Sequence, residues 1–195
     1  MLSKNFSRKF VSVMVASATV LALMATPAFA AANTEVSITG GDLTGGVITY
    51  VPFGTVALDG TAKTLTAVWK ISDVVDARGT GAGWDLKLTL TPLKEYVDTA
   101  YKTDGRTFAS SSIKVTAVPD VSMVDASSSD SADIVVIPIN TAFDTVTGAS
   151  LLTAAKDTGM GSYAVSDFSV ELSIPASAYV ATYKTDATVT IVVAP

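Results

Sequence analysis

The sequence predicts an all-β protein, a single antiparallel β-sandwich of about seven to nine strands, with a β-barrel as the structural alternative. Beyond residue 30 the dominant hydrophobic period is two, which is typical of strands with one buried face. Segments rich in glycine, serine and aspartate separate these alternating stretches, as turns do. No long helical pattern is present. Many short strands with polar turns favour two packed antiparallel sheets in one domain.

Residues 84–91 show the alternation best, because Trp84, Leu86 and Leu88 fall on one face and charged or hydroxyl side chains on the other. The strands predicted from clear alternation are 65–71, 84–91, 113–117, 168–174 and 187–191. Weaker strand candidates are 35–39, 47–50 and the continuously apolar 134–137, which suits a central strand buried on both faces. Two short helices are predicted in loops, at 93–102 and within 150–157.

Residues 1–30 have the pattern of a secretory signal peptide. An apolar stretch at 11–24 leads to the small-residue sequence Ala28-Phe29-Ala30, which is typical of a cleavage site. The stretch is too short for a comfortable membrane span. Three basic residues and no acidic ones precede it: Lys4, Arg8 and Lys9. We therefore expect cleavage after Ala30, which leaves residues 31–195 as a secreted β-sandwich domain without a membrane span.

Charge and composition exclude several functions. The chain has 13 Lys and Arg against 18 Asp and Glu. Removing the three basic residues of the signal peptide leaves 10 against 18, a net charge of −8, which argues against nucleic-acid binding. With no Cys and no His, the chain cannot form disulfides, a thiolate nucleophile or an imidazole base. We expect no enzymatic activity, no cofactor and no metal.

The most specific pattern lies in residues 65–90, where two alternating strands flank a loop with Asp73, Asp76, Arg78 and glycines at 79, 81 and 83. This segment resembles the WxL domain, a surface module of low-GC Gram-positive bacteria. The positions that match the family motif are Asp76, Arg78, Gly79, Gly83, Trp84 and Leu86. The family's second Trp-x-Leu is changed near the C-terminus, where Ile191 and Val193 retain the apolar period without the ring.

The resemblance implies a secreted, non-catalytic protein held at the cell-wall surface by contacts with peptidoglycan, with those six residues as the wall-binding motif. The sequence ends at Pro195 without a sorting sequence, so we expect the attachment to be non-covalent. One alternative is an assembly subunit that pairs strand edges with other surface proteins. Another is a soluble carbohydrate-binding module with an open aromatic face.

Several residues allow a structural and a functional interpretation. Trp84 is either a core side chain, which the alternation favours, or a platform for a sugar ring. Trp69 is predicted to lie in the core, because Leu65 and Ile71 continue its face. Asp76 and Arg78 are expected to form an ion pair that fixes the loop, the alternative being hydrogen bonds to a glycan or peptide.

Two further groups receive structural interpretations. The glycines at 79, 81 and 83 precede a strand rather than a helix, so we expect them to supply positive backbone angles and not a phosphate loop. Asp125, Asp130 and Asp133 have oxygens suited to calcium, but their spacing matches no EF-hand. A solvated loop is therefore favoured there.

Overall fold

The computed structural model describes residues 36–193, so the signal-peptide prediction for residues 1–30 lies outside it. Of these, residues 39–193 belong to one compact unit. The described residues contain a three-residue 3₁₀ turn, Ser131–Asp133, and no α-helix. The strands are β1 Leu43–Gly45, β2 Ile48–Thr49, β3 Lys63–Ile71, β4 Val74–Asp76, β5 Trp84–Leu90, β6 Lys94–Val97, β7 Ala100–Tyr101, β8 Ile113–Ala117, β9 Val121–Met123, β10 Ile134–Val136, β11 Ala149–Ala154, β12 Gly161–Val165, β13 Phe168–Ile174, β14 Thr182–Lys184 and β15 Ala187–Val193.

These strands form four antiparallel sheets. Their orders are β1-β4-β12-β9, β10-β11-β5-β15, β2-β3-β13-β8 and the small sheet β14-β6-β7. None of the described sheets closes on itself. The all-β antiparallel architecture is the predicted β-sandwich, and the β-barrel alternative is wrong.

The core lies between the sheets that contain β5 and β13. On β5, every second residue from Trp84 to Leu90 is at most 1% exposed, and Val170 of β13 is fully buried. These side chains belong to one continuous hydrophobic cluster, which the strict alternation of both strands makes possible. Asp144, also fully buried, accepts hydrogen bonds from the backbone N–H groups of Ser112 and Ile113 and so secures the start of β8.

All five clearly alternating stretches are strands, so this part of the prediction is confirmed. They correspond to β3, β5, β8, β13 and β15. The weaker candidate at 47–50 contains β2. Of the candidate at 35–39, Glu35 lies outside the described residues and Val36 to Thr39 form no strand. The observed strand number exceeds seven to nine because several strands contain only two or three residues, too few for a periodic signal.

Both predicted helices are wrong. The segment 93–102 is the hairpin β6–β7, in which Tyr96 pairs with Tyr101 and Val97 with Ala100. Asp98 adopts a φ of 55° in the two-residue turn, a left-handed conformation that an α-helix excludes. In the second segment, β11 pairs along β5 with an irregularity between Ser150 and Leu152. That irregularity buries the adjacent residues 151 and 152, and it produces a pattern without strict alternation.

The apolar segment 134–137 forms β10, but not as a central strand. β10 lies at the end of its sheet beside β11, and Val135 is 67% exposed. The prediction of burial on both faces is therefore wrong. A run of β-branched residues has high strand propensity on an edge as well as in a sheet centre, so composition alone could not place this strand.

Candidate functional site

The predicted motif spans the end of β4, the loop 77–83 and the start of β5. Gly79, Gly81 and Gly83 have φ values of 67°, 64° and 65°, so the predicted positive backbone angles are confirmed. At Gly83 an added Cβ would lie 2.5 Å from the carbonyl oxygen of Ala154. Glycine is required there because the loop packs directly against the backbone that follows β11.

Asp76 and Arg78 form the predicted ion pair. Oδ1 of Asp76 accepts hydrogen bonds from the backbone N–H and Nε of Arg78 at 3.1 and 2.8 Å, and Oδ2 accepts one from Nη2 at 2.8 Å. Nη2 also donates to the carbonyl oxygen of Gly83 at 2.8 Å. The Asp76 side chain is fully buried and that of Arg78 is 14% exposed. This pair, the Asp76–Arg78 clamp, therefore connects both ends of the loop through hydrogen bonds.

Trp84 is a core side chain, as the alternation favoured. It is fully buried, its ring lies 6.5 Å from that of Tyr163, and its Nε1 donates to the carbonyl oxygen of Gly159 at 2.9 Å. Gly159 is essential to this contact, because an added Cβ would lie 2.7 Å from Nε1. Of the six motif residues, only Gly79 is exposed and Arg78 partly so. The geometry assigns the buried four an architectural role, and a wall-binding role for the motif stays a prediction.

The Asp76–Arg78 pair predicts a specific pH dependence of stability. Hydrogen bonds from Arg78 lower the pKa of Asp76, against the smaller effect of burial. A carboxyl whose pKa is depressed by folding stabilises the native state above its unfolded pKa of about 4 and loses that contribution as the pH falls. In urea titrations, the free energy of unfolding of the wild type should exceed that of Asp76→Asn most at neutral pH. This difference in stability should shrink below about pH 4. A pH-independent difference would contradict this explanation.

A groove of about 930 Å³ lies apart from this motif. Its two sides are the irregular segment 50–58 and the segment 178–187, which leads into β15. Its floor is formed by apolar side chains of β3, β5, β13 and the chain around β6: Leu65, Trp69, Leu90, Leu93, Phe108, Leu172 and Ile174. Among residues 36–193, the segment 52–58 takes part in no backbone–backbone hydrogen bond.

Aromatic rings line this groove. Trp69 contacts Tyr50 and Phe53 edge-on, with centroid distances of 5.0 and 6.0 Å, and its Nε1 donates to the carbonyl oxygen of Val51. Trp69 is 3% exposed, so its predicted place in the core is confirmed. On the opposite side, Tyr179 is 59% exposed. Exposed rings beside backbone groups that have no backbone partner in the described part of the chain suit a ligand with both apolar faces and polar substituents.

Charged side chains surround one end of the groove. The guanidinium of Arg106 lies 3.8 Å from the ring centroid of Tyr179, a cation–π contact. Glu95 is nearly buried between Lys102 at 3.0 Å and Arg106 at 3.6 Å, and the hydrogen bond from Lys102 is the main cause of its lowered pKa. Residues 94–106 and 182–186 contain four basic and four acidic side chains. This end is therefore locally neutral on an acidic protein.

The remaining candidate residues lie in local turns. Asp125 accepts hydrogen bonds from the backbone and hydroxyl of Ser127, and Asp130 accepts one from Ala132 N–H, so both stabilise local turns. Among residues 36–193, no cluster of three acidic, His or Cys side chains could hold a metal ion. The same residues include no helix with the length and apolar character needed to cross a membrane.

Sequence reasoning missed the groove, together with Tyr179, Arg106 and Gly159. The available signal was the occurrence of aromatic residues in two segments without strand alternation, Tyr50 and Phe53 in one and Tyr179 and Tyr183 in the other. Such residues are exposed or cover a core, and only the tertiary structure shows that the two segments face each other across the end of the sandwich.

Comparison with known proteins gives one result. No curated protein and no solved structure matches the chain significantly. A family model described as WxL domain surface cell wall-binding matches residues 27–195. The match includes the Asp76–Arg78 clamp, the buried Trp84 and both sides of the groove. The chain therefore belongs to the WxL domain family of surface proteins that bind the cell wall.

Proposed function

We propose that the protein is secreted after cleavage at Ala30 and binds peptidoglycan of a Gram-positive wall non-covalently, without catalysis, through the aromatic groove. The observation that carries this proposal is the groove between segments 50–58 and 178–187. Peptidoglycan combines sugar rings, acetamido methyl groups and short peptides that end in carboxylates. The exposed Tyr179 ring and the apolar floor match the sugar rings and the acetamido methyl groups. The backbone groups of residues 52–58, which have no backbone partner within residues 36–193, match the polar substituents of the sugars.

The charged side chains at the rim of the groove match the carboxylates of the short peptides. A protein with a net charge of −8 is repelled by the anionic wall at long range, but the segments 94–106 and 182–186, which place Arg106 against the groove residue Tyr179, are locally neutral. Arg106 is half exposed, so its guanidinium can also reach a carboxylate of a stem peptide. In this proposal the motif residues from Asp76 to Leu86 stabilise the sandwich, and the groove makes the contact with the wall.

Replacing Tyr179 by alanine tests the groove. Loss of one exposed aromatic anchor should weaken retention on purified peptidoglycan by about 1–3 kcal/mol, with an unchanged melting temperature. Tyr183 donates its hydroxyl hydrogen bond to the backbone oxygen of Tyr179, so that bond survives the substitution. Pull-down on sacculi stripped of other proteins measures retention.

Ile139→Ala is the control, because Ile139 is 57% exposed and lies outside the groove. It should bind as the wild type does. Equal retention of Tyr179→Ala and the wild type would exclude the groove as the contact. Retention of the wild type only when partner surface proteins are added back would favour the assembly function instead.

A specific observation supports assembly as a second candidate function. β15 ends its sheet, and no described residue pairs with its outer edge. Its seven residues, Ala-Thr-Val-Thr-Ile-Val-Val, include no charge and no proline, the features by which natural proteins protect free edges. An unprotected edge of this kind is suited to strand addition.

A further inference from the structure

The outer edge of β15 leaves the core incompletely covered. Its residues with odd numbers, from Ala187 to Val193, face the core and pair with the fully or nearly buried positions Leu90 to Trp84 of β5. Yet Val193 is 54% exposed, and Val189 and Ile191 are only partly buried. An additional strand beside β15 would cover these side chains. A strand added at this edge would therefore bury apolar side chains, and it would pair with backbone groups that have no partner among residues 36–193.

The direction of the free backbone groups follows from the ladder with β5. Thr91 N–H donates to the carbonyl oxygen of Asp186, whereas Leu90 N–H points away from β15 and donates to Phe143. Because hydrogen-bonded and non-hydrogen-bonded pairs alternate in an antiparallel ladder, Ala187 directs its backbone groups outward. By the same alternation, so do Val189, Ile191 and Val193. The edge thus exposes the backbone groups of the same residues that are incompletely buried.

Resting on the assembly function proposed above, we infer that β15 pairs antiparallel with β15 of a second copy of this chain, about a two-fold axis at Thr190. In this register Val189 pairs with Ile191 of the other copy, and Ala187 with Val193. Both pairs join outward-directed backbone groups, and both place apolar side chains on the core face. A shift by one residue would put core-facing residues opposite outer-face residues, so the strand is self-complementary in this arrangement.

The lack of charge on β15 supports a second copy as the partner. An isologous contact places each side chain near its own equivalent at the axis, and a charge there would repel itself. Thr190 meets Thr190 in a non-hydrogen-bonded pair, in which side chains are closest, and two threonines in such a pair interact favourably. Pairing would continue the sheet β10-β11-β5-β15 into the same sheet of the other copy.

A charge exchange at Thr190 tests this arrangement. In a single copy Thr190 lies opposite Lys87 of β5, so Thr190→Glu should leave the fold intact or slightly stabilised. In the dimer it would place two carboxylates face to face and should weaken self-association at least about fivefold. Sedimentation equilibrium of the secreted chain, residues 31–195, should show a concentration-dependent dimer for the wild type. An equimolar mixture of Thr190→Glu and Thr190→Lys should restore it.

Thr188→Glu is the matched control, because it adds the same charge on the same face but would lie opposite Val192 of the other copy. It should weaken the dimer less than Thr190→Glu does. A wild type that stays monomeric at all concentrations would overturn the inference. The partner of the β15 edge would then be a strand of a different protein. An unchanged dimer affinity in Thr190→Glu would overturn the inference as well. So would an equimolar mixture of Thr190→Glu and Thr190→Lys in which the dimer is not restored. These measurements contain no peptidoglycan, so their outcome is independent of the groove.

Discussion

Replacing Trp84 by alanine should destabilise the protein by roughly 3–5 kcal/mol, the scale for removing a large aromatic ring from a core. Trp84 is fully buried beside Tyr163, and its loss also leaves the carbonyl oxygen of Gly159 without its donor. For a domain of this size the melting temperature should fall by roughly 10 °C. Retention on walls should fall together with the folded fraction, as expected for a core residue.

Trp84→Phe separates packing from hydrogen bonding. The phenyl ring fills most of the space but cannot donate to Gly159, so the cost should be about 1–3 kcal/mol, the scale for an unsatisfied buried polar group. Thermal and urea unfolding of both variants measure these effects. An unchanged melting temperature for Trp84→Ala, with reduced wall binding, would instead assign this ring to the ligand contact.

Replacing Arg78 by alanine should cost about 3–5 kcal/mol, because it leaves the buried carboxylate of Asp76 without its cation. The guanidinium makes two hydrogen bonds to that carboxylate and one to the carbonyl oxygen of Gly83. Arg78→Lys should recover only part of the loss, because an ammonium cannot reproduce the fork. Urea denaturation gives the free energy of unfolding for each variant.

Arg106→Ala is the matched control for this experiment. Arg106 is half exposed and lies 3.6 Å from Glu95, so its removal should cost at most about 1 kcal/mol, as for other surface pairs. The double variant Asp76→Ala/Arg78→Ala should lose less unfolding free energy than the two single variants lose together, because neither charge is then left buried without a partner. Equal effects of Arg78→Ala and Arg106→Ala would contradict the buried clamp.

How far the sequence predicts this fold is seen by comparing β5 with β11. Trp84, Leu86 and Leu88 alternate strictly, and the structure places them all on the core face of β5. The sequence predicts a short helix within 150–157, where the structure has most of β11, because the irregularity between Ser150 and Leu152 interrupts the alternation of this strand. Periodicity reports a strand only where pairing is regular. Bulges and two-residue strands owe their conformation to neighbours that are distant in the chain.

The candidate sites show the same division. The Asp76–Arg78 pair could be predicted because its members are two residues apart, and local hydrogen bonding needs no tertiary contact. The groove could not, because Tyr50 and Tyr179 come from segments separated by most of the domain. Neither segment has a hydrophobic period, and nothing in the sequence indicates that the two segments form the sides of one cavity.

By itself the sequence determined the all-β class, the core faces of the long strands, the glycine loop and the family motif, because each depends on residues that are near neighbours in the chain. Only the tertiary structure decided that Trp84 is buried against Gly159, that the aromatic groove exists and that the outer edge of β15 has no partner among the described residues. Burial and strand order depend on which distant segments pack together, and alternation specifies a face but not the neighbour that covers it.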